Sequence, residues 1–247
     1  MKSLKQIIQE NLKFKINRDT KVYEYQPKSW DELRQIIEDR YKEQGAGTSQ
    51  YPVDFNDIDV SGITTFYNSN GIFQNTNFEY IDISEWDVSN AENMNSMFYE
   101  CWKLKSVGDL SSWNVSKVKD MYCMFIGCKS LISIGDLSNW DVSNVKNMNG
   151  TFGQCLELKS IGDLSNWNVS KVEYMAWMFG ECVQLESIGD LSNWNVSKVK
   201  TMKEMFVSCI QLESIGDLSN WDVSNIYDTE NMFDDSGIIN IPNWYEG

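Results

Sequence analysis

The chain has 247 residues, 42% of them hydrophobic, with ten tryptophans. That much apolar mass excludes a disordered chain, which cannot offset the entropy of ordering. Residues 1–50 hold ten Lys/Arg against eight Asp/Glu, and the remainder eleven against twenty-eight, so the net charge of −15 sits on the larger part. A body at −17 repels phosphate, which argues against nucleic acid and anionic membrane as partners.

The N-terminal stretch MKSLKQIIQENLKFK is basic, but Gln9, Glu10 and Asn11 interrupt its apolar run and no small-residue cleavage site follows. No segment approaches the roughly 18 apolar residues of a spanning helix. The expectation is a cytoplasmic or virion-associated chain without membrane insertion. Residues 1–57 read as an N-terminal cap of helix, strand and helix. A docking helix is expected over 4–12 and a short strand in KVYEYQP. A second helix begins at the capping box Ser29/Glu32, shows Leu33, Ile36, Ile37 and Tyr41 on one face, and stops at Gly45 and Gly47.

From there the chain repeats itself. Trp86, Trp113, Trp140, Trp167, Trp194 and Trp221 are each 27 positions apart. A fixed period in this range marks a repeat architecture. A degenerate coil over 58–85, with Ile58 in the Trp place, precedes regular coils over 86–220. A shortened C-terminal cap coil over 221–247 closes the array.

In one repeat, Val118, Met121, Met124, Phe125 and Cys128 fall at offsets 0, 3, 6, 7 and 10, the spacing of one helix face. Ser116 stands where an N-cap belongs, and Ser89/Glu92 and Ser170/Glu173 offer capping boxes. Further on, YIDIS and IINIP alternate as strands do, while inner repeats insert Gly108, Gly135, Gly162, Gly189 or Gly216 as a bulge. One short helix and one short parallel strand per 27 residues predict an α/β solenoid, a right-handed coil with stacked internal ladders.

Cys101, Cys128, Cys155, Cys182 and Cys209 form one such ladder and are expected reduced and buried. Cys123 and Cys128 are too far apart for the usual thiolate zinc pair. The Met and Phe ladders read as core. The Trp ladder, at a corner, leaves a half-exposed carbohydrate-stacking strip as the other reading. Asp82, Asp109, Asp136, Asp163, Asp190 and Asp217 stack as like charges. They therefore need a backbone amide, water or a cation, with turn residues preferred over a cation site. The sequons at Asn114, Asn149, Asn168 and Asn195 are read as by-products of the repeat. No cofactor is expected.

The segment DLSNWDVSNVKNMNGTFGQCLELKSI, residues 136–161, resembles the BspA-like leucine-rich repeat proteins of bacteria, mycoplasmas and phages. The resemblance spans about 58–244. It implies a leucine-rich-repeat-like solenoid that binds protein, commonly as a surface adhesin, and no enzyme activity. The missing export signal and the extra glycine depart from the pattern.

With no histidine, phosphate loop or nucleophile motif, catalysis has no candidate residues. The leading expectation is a non-enzymatic protein-binding module with an extended acidic surface. The alternatives are a structural or assembly subunit, or an adhesin. Candidate contact residues are departures from the repeat: Tyr174 and Trp177, with Tyr122 on a neighbouring coil. The strand surface adds Lys105, Lys159, Glu186 and Glu213, basic to acidic along the axis. Partner identity and oligomeric state stay open.

Overall fold

Helix α1, Trp30–Gln44, is where the capping signals put it, in a computed structural model that describes residues 21–74 and 76–246. The Ser29 side chain accepts the Glu32 N–H, and Leu33 and Ile37 are buried. The expected helix over 4–12 lies outside the described residues. Of the expected strand in KVYEYQP, only Tyr25 pairs, in parallel with Ile58. Strand β1, Val53–Asp54, pairs in parallel with β4, Ile81–Asp82. Strands β2, Tyr67–Asn68, and β3, Asn70–Gly71, form a small antiparallel hairpin.

Beyond β4 the chain stacks in register. Asn93, Asp120, Asn147, Tyr174, Thr201 and Asp228 pair successively in parallel, each 27 residues after the last. Ser106 pairs with Ser133, and Ser160 with Ser187, at the same step. The product is a repeat solenoid with short isolated pairings. The expected continuous sheet is absent among the described residues, and IINIP forms no strand.

The expected helix in each repeat is also corrected. Among residues 58–246 the helical elements reduce to one 3₁₀ turn, Leu218–Asn220. The run from Met94 is instead a succession of i→i+3 turns: Met97, Tyr99 and Cys101 N–H donate to the carbonyls of Met94, Ser96 and Phe98. Ser96 and Glu100 adopt positive φ, as do Cys123 and Gly127 in the next coil. Each such non-glycine residue costs about 1 kcal/mol or more. What offsets that cost is inter-coil bonding. The N–H groups of Met94, Ser96, Phe98 and Glu100 donate to the carbonyls of Asp120, Tyr122, Met124 and Ile126 at 2.8–2.9 Å. A helix would keep those donors to itself and leave the stacked coils unconnected.

The serine caps are corrected with it. Ser116 N–H donates to Asn114 Oδ1 at 3.1 Å, and Ser170 N–H to Asn168 Oδ1 at 3.2 Å. Ser89 N–H likewise meets Asp87 Oδ1 at 3.0 Å. The residue after each Trp thus closes an Asx turn, which competes locally with helix formation.

The ladders are internal. Phe73, Phe98, Phe125, Phe152, Phe179, Phe206 and Phe233 stack with centroids 4.9–5.9 Å apart. Trp86 through Trp221 are 3–5% exposed, so the half-exposed strip is excluded. Each indole N–H donates to a carbonyl of the preceding coil, as Trp167 does to Leu137 at 3.0 Å. In the shortened last coil Trp244 stacks on Trp221 and donates to the Leu218 carbonyl.

Candidate protein-binding surface

The polar ladders resolve into turns. Ser111, Ser138, Ser165, Ser192 and Ser219 N–H donate to Asp109, Asp136, Asp163, Asp190 and Asp217 at 2.9 Å. These bonds hold the Asp136, Asp190 and Asp217 carboxyls below the usual carboxylate range. The amide is therefore what stabilises the stacked carboxylates. Among the described residues no acidic, Cys or His cluster has the makings of a metal site.

The five ladder thiols are buried, and each donates to a phenylalanine carbonyl of the preceding coil, as Cys182 does to Phe152 at 3.1 Å. Burial pushes the Cys101 and Cys209 thiols up to about 12, and the others upward as well. Since the thiolate is the nucleophile, native protein at pH 8 should resist alkylation at all five, while unfolded protein should react. The linkage follows in sign. A thiol pKa raised by folding contributes stability in full below the unfolded value of 9.0 and loses it as pH rises beyond. Mass spectrometry after alkylation, with melting curves from pH 7 to 10, checks both.

The predicted aromatic cluster is only partly assembled. Tyr174 is half-buried, with Lys200 Nζ 5.2 Å from its ring centre. Lys200 also pairs with Glu173 at 2.5 Å. Trp177 faces different neighbours. Side chains added at Gly153 and Gly180 would meet its ring carbons at 3.4 and 3.2 Å. The indole fills a gap that two glycines leave, so its size is matched to its surroundings. Among the described residues its buried N–H has no partner. Tyr174 and Trp177 make no ring contact with each other. Tyr122 is 40% exposed, and hydrogen bonding with Cys123 pushes its hydroxyl pKa up.

The strand-surface residues do form one line. Ile132 N–H donates to the Lys105 carbonyl, Glu186 N–H to Lys159, and Ile239 N–H to Glu213. Corresponding side chains therefore stand above one another from Lys105 to Ile239. Lys105 is held by Glu79 at 2.7 Å, and Lys159, Glu186 and Glu213 are exposed. Sequence reasoning missed the apolar members of this region. Trp102, Ile132, Ile210 and Ile239 are 53, 52, 56 and 78% exposed. The available signal was Ile132 and Ile239 standing where sister coils carry charge.

The family model described as "Mycoplasma protein of unknown function, DUF285" matches residues 43–161 and 132–244. The chain belongs to the DUF285 family. A leucine-rich repeat protein from Eubacterium ventriosum is similar in structure, at 18% identity and a TM-score of 0.50. The match covers 75% of this chain and 44% of that one. A leucine-rich repeat protein from Bacteroides ovatus is similar over 70% of this chain and 49% of that one, at 19% identity and a TM-score of 0.32. No curated protein matches. This DUF285 chain therefore spans under half the length of the solved repeat proteins it resembles, and it shares with the first a BspA-like leucine-rich repeat fold. Among its described residues no helix is long and apolar enough to cross a membrane.

Proposed function

We propose that the solenoid is a non-enzymatic protein-binding module whose contact surface is the line from Lys105 to Ile239. One observation carries this reading. Successive coils repeat their buried Trp, Met, Phe, Cys and Leu almost without change, while the exposed line runs Lys105, Ile132, Lys159, Glu186, Glu213, Ile239. Packing dictates the first set and leaves the second free. A rigid array with a varied outer row, including exposed apolar side chains beside Trp102, suits recognition of an extended protein surface. Tyr122 is a peripheral candidate. Trp177 is assigned to packing first.

The test is the double variant Ile132→Glu, Ile210→Glu. Both side chains are exposed, so the melting temperature should hold within a few degrees. Immobilised native protein should capture a partner from bacterial lysate that the variant captures at least tenfold less. Equal capture by both proteins, or by neither, refutes the assignment.

A further inference from the structure

We propose that a second face of the solenoid, a lysine stripe, docks an unstructured acidic segment of a partner protein. The face comprises two columns of side chains, four and six residues after each repeat Trp. From Asn90 to Tyr227 those twelve positions hold six lysines (Lys117, Lys119, Lys146, Lys171, Lys198 and Lys200) and two glutamates, Glu92 and Glu173. Residues 51–247 hold eleven Lys/Arg against twenty-eight Asp/Glu, so the stripe has the opposite sign to the body that carries it.

The stripe is rigid at its backbone. Lys119, Lys146, Glu173, Lys200 and Tyr227 each donate a backbone N–H to the residue one coil earlier, at 2.8–2.9 Å. The glutamates are already engaged, Glu92 by Lys119 at 2.6 Å and Glu173 by Lys200 at 2.5 Å. Lys117 and Lys171 donate to Asn90 and Asn144 of their preceding coils. The coil before Lys198 has Lys171 in that place, so Lys198 has no such acceptor. Among the described residues neither Lys198 nor Lys146 holds an ion pair. Two like charges on successive coils repel, and a bound carboxylate between them would relieve that repulsion.

A cleft marks one end. Glu173, Lys198, Lys200, Asn225 and Tyr227 line a space of about 470 Å³. Tyr227 is 73% exposed although its backbone is locked in the ladder. Two ammonium groups, an amide and a phenol around one hollow are donors suited to carboxylates.

The neighbouring columns decide the partner class. Asp87, Asp141 and Asp222 follow the tryptophans, and Asp120 and Asp228 lie just beyond the stripe. A duplex or a membrane surface, wider than the stripe, would press phosphates against those carboxylates. A single peptide chain fits between them. Repulsion from the rest of the body is screened over about 8 Å at physiological ionic strength, so contacts at the stripe dominate. This inference rests on the protein-binding reading but uses a different face.

Fluorescence anisotropy with a labelled octaglutamate peptide, in 150 mM salt, tests it. Native protein should bind that peptide at least tenfold more tightly than octaglutamine. The double variant Lys146→Glu, Lys198→Glu should lose at least tenfold and keep its melting temperature, both positions being exposed. Equal binding by native and variant protein overturns the proposal, as does no binding at millimolar peptide. Tighter binding of duplex DNA or phosphatidylserine vesicles overturns the partner class. Self-association that the double variant abolishes would make the partner a second copy of this chain and also overturn it. Capture through the Lys105–Ile239 line should persist in this variant, so failure of the stripe and failure of the wider reading give different results.

Discussion

Replacing Trp167 with alanine is expected to destabilise the protein by about 4 kcal/mol, within the range for large aromatic truncations in cores. Two losses add. The buried indole leaves a cavity in a ladder whose members are 3–5% exposed. The Leu137 carbonyl also loses the N–H that meets it at 3.0 Å, and an unsatisfied buried acceptor costs about 1–3 kcal/mol. Trp167→Phe separates the terms by retaining most of the volume and losing the bond, at about 1–2 kcal/mol. Position matters too. In a solenoid each coil contacts only its neighbours, so a defect in a central coil weakens two interfaces. Trp244→Ala, at the half-buried terminal coil, should cost less and leave the main transition intact. Urea melts followed by tryptophan fluorescence and circular dichroism should show Trp167→Ala unfolding in two steps. A single transition within 1 kcal/mol of the native protein would contradict the ladder.

The second large effect concerns the inserted glycine. Gly162→Ala is expected to cost about 3 kcal/mol for two separable reasons. The residue has φ of +90°, which L side chains rarely adopt. A Cβ there would also lie 1.9 Å from Asp136 Oδ1 of the preceding coil. That carboxylate cannot simply swing away, because it accepts the Ser138 N–H at 2.9 Å. Asp136→Ala in the same chain should recover about 1–2 kcal/mol of the loss, a coupling that a double-mutant cycle measures. The remainder is backbone strain. Gly62→Ala serves as the control, since a Cβ there would meet nothing within 4 Å and the residue's φ is ordinary. It should change stability by under about 0.5 kcal/mol. Equal effects at Gly62 and Gly162 would show that the stacked carboxylates do not dictate the glycine.

These two cases mark where sequence reading succeeded and where it stopped. The glycine was visible as an insertion, and a bulge was a fair expectation. Its cause was not visible, because the atom that excludes a side chain belongs to Asp136, 26 positions earlier. The helix was misread for a related reason. Apolar spacing of 0, 3, 6, 7 and 10 suits a helix and also a run of i→i+3 turns. Gly127 and Gly150, both at positive φ within the supposed helices, were the local hint. Of the candidate contacts, the line through Lys105, Lys159, Glu186 and Glu213 survived as a stacked row, while Trp177 turned out to fill space above Gly153 and Gly180. A single sequence shows that a residue departs from its repeat. It does not show that two glycines elsewhere have made room for it.

The amino-acid sequence by itself determined the 27-residue register, the buried ladders and the two end coils, because hydrophobic burial is carried by side-chain type and recurs wherever the type recurs. Only the tertiary structure decided the backbone between those ladders. There a residue's own preference for helix lost to hydrogen bonds with a coil 27 residues away, and bonds of that range exist only after the coils have stacked.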